Sequence, residues 1–450
     1  MSLPRYPVYK PAETEWLHEV PSHWDVQPCR SIVTECVDKN EDAKNQDYLS
    51  LMANVGVIPY EEKGDVGNKK PEDLSKCKLV FKGDLVINSM NYGIGSYGLS
   101  ALSGVCSPVY IVLRPKLERV KARFAFRIFE NRAFQSYAQS FGNGILDHRA
   151  AINWDILKGI GVGLPPVDEQ EEILCFLDRE TAKIDALIAD QEKLLALLSE
   201  KRQAVVMRAV TRGIDYREPV TDSQVPWMGA VPAHWDLVAL SKVTLERCDG
   251  PFGSGIKSDH YTDAGALVVR LQNIRAGNFH KGESVFLDET YFLTELQRHA
   301  VVEGDLLVAG LGDENNLLGR ACVAPPGLGS ALVKADCFRF RLDPEAAIPE
   351  FVAWQLSAGA SFDAGMLSTG TTRSRIPLSV MASRKIALPP LEEQKEIVDF
   401  IASQNAMFDS VKAEAESAIS LLRERRAALI SAAVTGKIDV RGLVGPKVVA

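Results

Sequence analysis

Leu164-Pro165-Pro166-Val167-Asp168-Glu169-Gln170 returns in the same chain as Leu388-Pro389-Pro390-Leu391-Glu392-Glu393-Gln394, an offset of 224 (388 − 164). The paired prolines end an extended segment, because proline cannot donate to a strand ladder and biases its neighbour to extended geometry. The acidic pair that follows suits the first turn of a helix, where negative charge meets the dipole. Further on, Thr211-Arg212-Gly213-Ile214-Asp215 returns as Thr435-Gly436-Lys437-Ile438-Asp439, again at 224 (435 − 211). Gly213 and Gly436 are natural helix stops. The chain thus holds two helices of equal marker spacing, each about 42 residues and ~63 Å long at 1.5 Å per residue.

Two further markers repeat at smaller offsets. Trp16-Leu17-His18-Glu19-Val20-Pro21-Ser22-His23-Trp24-Asp25 matches Trp227-Met228-Gly229-Ala230-Val231-Pro232-Ala233-His234-Trp235-Asp236 at 211 (227 − 16). Gly83-Asp84-Leu85-Val86 matches Gly304-Asp305-Leu306-Leu307 at 221 (304 − 83). The offset grows only across the globular parts, so insertions have accumulated there and not in the helices. The chain reads as two copies of one unit, with constrained helices and variable globular parts.

The helices carry a heptad seam. Leu177, Ile184, Ile188, Leu195, Leu198 and Val205 fall on helical steps, and Ile401, Phe408, Ala415, Ile419, Leu422 and Leu429 do the same, all but Ala415 at an offset of 224 from one of the first set. Gln191, Arg202, Lys412 and Arg426 interrupt it. A lone helix of this kind exposes its seam to water. Either each helix packs on its own domain, or, more economically, the two pack on each other antiparallel with a globular domain at each end. The expected fold is α+β: two pseudo-twofold-related globular α/β domains joined by two long antiparallel coiled-coil helices. Its segments are residues 1–166, helix 167–213, residues 214–390 with a linker over 214–234, helix 391–437 and a tail over 438–450. Within the globular parts, Asp84–Ser89, Val109–Arg114, Ala266–Leu271, Asp305–Ala309 and Cys337–Leu342 read as strands, and Arg123–Phe129 and Pro349–Leu356 as helices.

Composition bounds the function. With 46% hydrophobic and 24% charged residues, the chain of 450 is an ordinary globular protein long enough for two or three cores. No apolar run reaches the ~18 residues that span a membrane, and the N-terminus lacks the apolar core of a signal peptide. Eight scattered cysteines without a Cys-x-x-Cys pair suit neither a zinc ribbon nor a disulfide framework, and point to reduced thiols in the cytoplasm. The net charge of −8 argues against a nucleic-acid binder acting alone. Residues 22–166 carry 18 Lys and Arg against 16 Asp and Glu, and residues 235–390 carry 15 against 18, so any DNA contact must come from local clusters.

Catalytic signatures are missing. Thr435-Gly436-Lys437-Ile438 has the wrong spacing for a phosphate loop. Phe141-Gly142-Asn143-Gly144 and Phe252-Gly253-Ser254-Gly255 resemble the glycine turn of methyltransferases, but no Asn-Pro-Pro-Tyr-like tetrad follows. His23 and His234 each open a domain within Pro-x-His-Trp, and read as structural staples better than as a catalytic pair. Metal-ligand clusters are absent from the sequence pattern.

What remains is polar chemistry suited to DNA. Thr371, Thr372, Arg373, Ser374 and Arg375 follow Gly370 in a loop of guanidiniums and hydroxyls, which match guanine edges and phosphates. Arg270, Gln272, Asn273 and Arg275 place polar groups along a strand and turn. Lys257 adds a cation nearby. The first copy offers Asn143, His148 and Arg149, with Lys69, Lys70, Asn88, Ser89 and Tyr92.

The doubled Leu-Pro-Pro-x-x-Glu-Gln starts, the Val-Pro-x-His-Trp openings, the Asp249-Gly-Pro-Phe-Gly-Ser254 turn and the Thr-Gly-Lys-Ile-Asp close resemble the specificity subunit of type I restriction–modification systems. The resemblance covers nearly the whole chain. It implies two target-recognition domains, each reading one half of a bipartite site in double-stranded DNA, and a coiled coil that fixes the spacer. It implies no cofactor or catalytic residue in this chain. The expected partners are two methyltransferase subunits using S-adenosylmethionine and two restriction–translocase subunits using ATP and Mg. The first domain departs from the pattern. It has Leu51-Met52-Ala53-Asn54-Val55-Gly56 in its early region, without a Gly-Pro-Phe-Gly-Ser turn, and Ile145–Ala150 in place of the Thr371–Arg375 loop. The two domains are therefore expected to read unrelated half-sites. The rival reading is a coiled-coil protein scaffold that never touches DNA.

Overall fold

The computed structural model describes residues 3–65, 69–142, 151–215, 217–251, 255–313, 315–363 and 374–443. It divides into two compact units, residues 1–192 with 416–450, and residues 193–415. The fold is α+β, and each unit contains one globular part and a stretch of both long helices. Those helices are Val167–Arg212 and Leu391–Val434, 46 and 44 residues long. Both begin on the residue after the Pro-Pro pair. The first intrahelical bonds run from Gln170 to the Pro166 carbonyl (2.9 Å) and from Gln394 to the Pro390 carbonyl (3.0 Å).

Within each unit the two helix stretches run antiparallel. In the first, Arg426 pairs with Asp185 (2.9 Å) and Arg423 with Glu192 (3.1 Å). In the second, Val206 and Val210 share a core with Ile397 and Ile401, while Arg202 reaches the Asn405 carbonyl (3.1 Å) and the Asp409 carboxylate. Leu177, Ile184, Ile401, Phe408, Ala415 and Ile419 are buried; Ile188, Leu195, Leu198, Val205, Leu422 and Leu429 are half-buried. Gln191, Arg202 and Arg426 sit half-buried among them at heptad steps, and Arg202 lies over the Phe408 ring at 5.7 Å. Lys412 is a correction. It is exposed, and Val411 takes the inward position beside it, so the seam is not broken there.

The globular parts repeat one antiparallel sheet. In the first unit its order is Val33–Glu35, Tyr110–Pro115, Leu85–Asn88, Tyr97–Leu99; in the second, Thr244–Asp249, Cys337–Leu342, Leu306–Ala309, Ala321–Val323. Side chains alternate along a strand, so each sheet feeds two cores. Leu85, Ile87, Ile111 and Leu113 face the core that holds the helices Ala122–Glu130 and Arg132–Ser140. Val86, Tyr110 and Val112 face a second cluster with Leu49, Leu51, Val80 and Cys106. The second unit repeats this split with Leu306, Val308 and Phe340 on one side and Leu307, Ala309 and Cys337 on the other. It adds a mixed sheet whose central strand, Ala266–Val269, pairs parallel with Ala331–Val333.

A short ladder explains why the sequence markers travel together. Asp25–Pro28 pairs with Gly161–Leu164, ending at Asp25 opposite Leu164; Asp236–Ala239 pairs with Lys385–Leu388, ending at Asp236 opposite Leu388. The ladder sets each His-Trp beside each Pro-Pro helix start. There the second acidic residue collects donors. Glu169 accepts from Tyr6 Oη (2.6 Å) and Trp24 Nε1 (2.9 Å) and meets His23 Nε2 (2.7 Å). Glu393 accepts from Trp235 Nε1 (3.1 Å) and meets His234 Nε2 (2.8 Å). The glutamine that follows clamps the helix start to the preceding loops. Gln170 donates to the Pro165 (3.0 Å) and Arg119 (3.1 Å) carbonyls, and Gln394 to those of Pro389 (2.8 Å) and Ala346 (3.2 Å).

The helix-closing glycines meet the same latches. Gly436 has φ +71°, and a Cβ there would lie 2.3 Å from Pro21 Cδ. Gly213 has φ +69° and sits by Trp235 and Glu393. Beyond them Arg441 pairs with Asp439, as Arg217 does with Asp215, 224 positions earlier (441 − 217).

Candidate nucleic-acid interface

One end of each sheet gathers loops. In the first unit Tyr110 pairs with Asn88, and the Asn88 N–H donates to the Ser96 carbonyl (2.9 Å), so residues 89–96 and 107–109 emerge together. The hairpin turn at Asn54 joins them through its N–H to the Gly95 carbonyl (3.0 Å). In the second unit Ala309 pairs with Cys337, and residues 310–313, 315–320 and 334–336 emerge together. The chain returning from the helix after the sheet docks on this end in both units. Ile152 N–H donates to the Ser89 carbonyl (3.1 Å) and Ile376 N–H to the Gly310 carbonyl (3.0 Å), 224 positions apart (376 − 152). The docked segments therefore have equivalent places.

The second unit's end is rich in ionic and amide groups. Arg275 is exposed and donates to Asn316 Oδ1 (2.5 Å). Arg375 pairs in a short ladder with Leu311 and places Nε 2.8 Å from Asp336 Oδ1. Asp313 accepts from the N–H groups of Asn316 (2.7 Å) and Asn315 (2.9 Å), which holds its carboxyl below the usual carboxylate range. Arg320 ties the arrangement together from beneath. Its buried guanidinium donates to the carbonyls of Leu271 (2.8 Å), Ile274 (2.8 Å), Asn316 (3.0 Å) and Leu317 (3.0 Å), and burial pulls its pKa down. Two loops distant in sequence are thereby held as one surface. Neither Arg320 nor Asn316 is singled out by the sequence reading, although the Asp313-Glu314-Asn315-Asn316 run carries the composition of an Asx turn.

The sequence candidates scatter across these surroundings. Arg275 and Arg375 come to the same sheet end. Ser89 lies at the corresponding end of the first unit, its hydroxyl donating to the Val109 carbonyl (3.2 Å). Arg270 donates to the Glu283 carbonyl (2.6 Å), and Gln272 and Lys257 are exposed. Lys69 is exposed on another loop, where Lys70 donates to the Gln46 carbonyl (3.3 Å). Asn143, His148, Arg149, Thr371, Thr372 and Arg373 lie outside the described residues, and of Ser374 only the backbone, paired with Gly312, is described.

Three candidates are corrected by burial. Tyr92 is fully buried and donates its hydroxyl to the Phe129 carbonyl (2.5 Å). Asn88 is buried, with its side-chain oxygen on the Met90 N–H (3.1 Å). Asn273 is buried and bonds the Arg270 N–H (2.8 Å) and the His280 carbonyl (2.9 Å). Their polar groups are spent on shaping loops. The strand read through Ala266–Leu271 also ends early, at Val269, because Leu271–Asn273 forms a 3-10 turn.

Among the described residues no helix is long and apolar enough to cross a membrane, and no group of three or more His, Cys, Asp or Glu is placed to hold a metal ion.

The model of the type I restriction modification DNA specificity domain matches residues 23–195 and 330–416. The specificity subunit of the type I restriction enzyme EcoKI from Escherichia coli K12 is 25% identical over 94% of this chain and 91% of its own length. That of MjaVIII from Methanocaldococcus jannaschii is 22% identical over 97% and 98%. Among solved structures, one described as the structural basis of complex assembly and conformational transition of the type I R-M system has a TM-score of 0.63. It is 15% identical and covers 92% of this chain and 98% of its own. The HsdS subunit from Thermoanaerobacter tengcongensis scores 0.52 at 15% identity, over 93% and 98%. With more than half of its length matched by the family's model, the chain belongs to the type I restriction modification DNA specificity family, as a specificity subunit.

Proposed function

We propose that each unit reads one half of a bipartite DNA site with the loop-bearing end of its sheet, while the long helices set the spacer. In this reading the chain is non-catalytic. It recruits two methyltransferase subunits, which bring S-adenosylmethionine, and through them two restriction–translocase subunits, which bring ATP and Mg. One observation carries it: the docked segments recur at equivalent places in both units, yet the side chains around them differ. A conserved mount with variable contents is what two different half-sites require. The formal charge of −8 fits a subunit that discriminates bases while partners supply much of the phosphate grip.

The test is methylation-site sequencing of DNA from cells carrying the complete system. Arg275→Ala should weaken binding by about 1–3 kcal/mol and relax one half-site only. Exchanging residues 22–163 for those of a related subunit should change the other half and leave the first intact. An unaltered pattern in both variants, or loss of both halves in a variant that folds and assembles, rejects the reading. A complex that assembles but shows no salt-dependent DNA binding favours a scaffold instead.

A further inference from the structure

The first unit's sheet end is apolar where the second unit's is ionic. Val55, Met90, Ile94 and Val109 are 68%, 53%, 54% and 56% exposed. They sit on three loops that local bonds hold together: Asn54 N–H to the Gly95 carbonyl (3.0 Å) and Ser89 hydroxyl to the Val109 carbonyl (3.2 Å). Gly98 lies so close to Gly56 that a Cβ on it would come within 2.8 Å of the Gly56 Cα, which seats the hairpin against the sheet. Met90 precedes and Ile94 closes the 3-10 turn Tyr92–Ile94, whose buried Tyr92 pins it to the core through the Phe129 carbonyl. These apolar tips are thus projected from a fixed base. Asn54 and Asn91 stand among them as the amide groups of the same loops. Among the described residues, no comparably exposed large apolar side chain occurs within 310–320 or 334–336 of the second unit.

Four exposed large apolar side chains gathered on loops that are bonded to one another offer an apolar face to a partner. In the major groove one base supplies such a surface, the thymine C5-methyl group, and a neighbouring amide suits the edge of the adenine paired with it. We infer that the first unit reads its half-site through thymine methyl groups, with Met90 and Ile94 as the principal contacts and Val55 and Val109 beside them. This inference rests on the reading that this sheet end faces DNA. It makes the first half-site dependent on A·T pairs in a way that the second, ringed by Arg275 and Arg375, is not.

The experiment replaces thymine by uracil, which removes the methyl group and leaves base pairing intact. Half-sites are first assigned by exchanging residues 22–163 and sequencing methylation sites. Each thymine of either half-site is then replaced singly, and binding of the assembled methyltransferase complex is measured at fixed salt. In the first half-site at least one replacement should weaken wild-type binding, by about fourfold per buried methyl. Met90→Gln with Ile94→Thr, both at exposed positions, should bind thymine and uracil alike there and leave the second half-site's response unchanged. A first half-site with no A·T pair overturns the inference. So do uracil replacements that change nothing in the wild type, or a double variant that still distinguishes the two bases. If sequencing assigns no half-site to the first unit, the broader DNA-reading proposal fails, which is a separate result.

Discussion

At the scale of single residues, the two helix-start glutamates share a position in sequence but not an environment. Glu169 is 7% exposed and holds Tyr6, His23 and Trp24; Glu393 is 23% exposed and holds His234 and Trp235. Removing an acceptor leaves its buried donors without partners, at about 1–3 kcal/mol per group. Glu169→Ala should therefore destabilise its unit more than Glu393→Ala does, by roughly 1–2 kcal/mol, in denaturant unfolding followed by Trp fluorescence. Equal losses would show that Tyr6 adds nothing to the latch. A second residue, His299, gives the second unit a pH dependence. It is buried, Arg298 Nε donates to its Nε2 (2.9 Å), and its Nδ1–H meets the Asp249 carbonyl (2.5 Å), so the ring is held neutral. Burial is the largest cause holding its pKa below the ordinary 6.5. Between those two values the unfolded chain binds the proton and the folded one does not, so stability is full above about pH 6.5 and is lost as pH falls below it. Melting temperatures measured from pH 8 to 5 should fall in the wild type and fall less in His299→Gln. Parallel curves would assign the loss to other groups.

At the scale of elements, what was legible is what recurs under constraint. The Pro-Pro pair marks the helix starts because proline ends the strand Gly161–Leu164 and its counterpart Lys385–Leu388, and the chain can only turn into a helix afterwards. The His-Trp markers travel with it because a ladder places them on the helix's first turn. The seam was readable from apolar spacing alone, apart from its polar members. Arg202 stays half-buried because its guanidinium lies over the Phe408 ring while pairing with Asp409, a use of a long charged side chain that hydropathy does not register. The interface loops were much less legible. Periodicity carries no information in a loop, and a tyrosine or asparagine there reads the same whether it faces water or, like Tyr92 and Asn273, closes a turn from inside. Arg320 escaped notice for the same reason. Its carbonyl partners are assembled only by the fold.

At the scale of the whole molecule, the unequal histories of its parts bear on spacing. Insertions separate the globular parts, but the helix markers stay 224 apart at both ends (388 − 164 and 435 − 211), as expected if helix length is selected for the distance it sets. A matched heptad inserted into both helices tests this. Seven residues add about 10.5 Å at 1.5 Å each and return every seam residue to its own register. At 3.4 Å per base pair, the preferred spacer should lengthen by about three base pairs, with both half-site sequences unchanged. Three base pairs also turn one half-site by roughly 105° about the duplex at a repeat of 10–10.5 base pairs, so some loss of affinity accompanies the shift. The same insertion in one helix alone misaligns the paired seams and should abolish assembly instead of moving the optimum. Methylation of a substrate library with variable spacers gives the answer directly. An optimum that stays in place, in a matched variant still assembled with its methyltransferase, would mean that the partner subunits and not the helices position the two recognition domains.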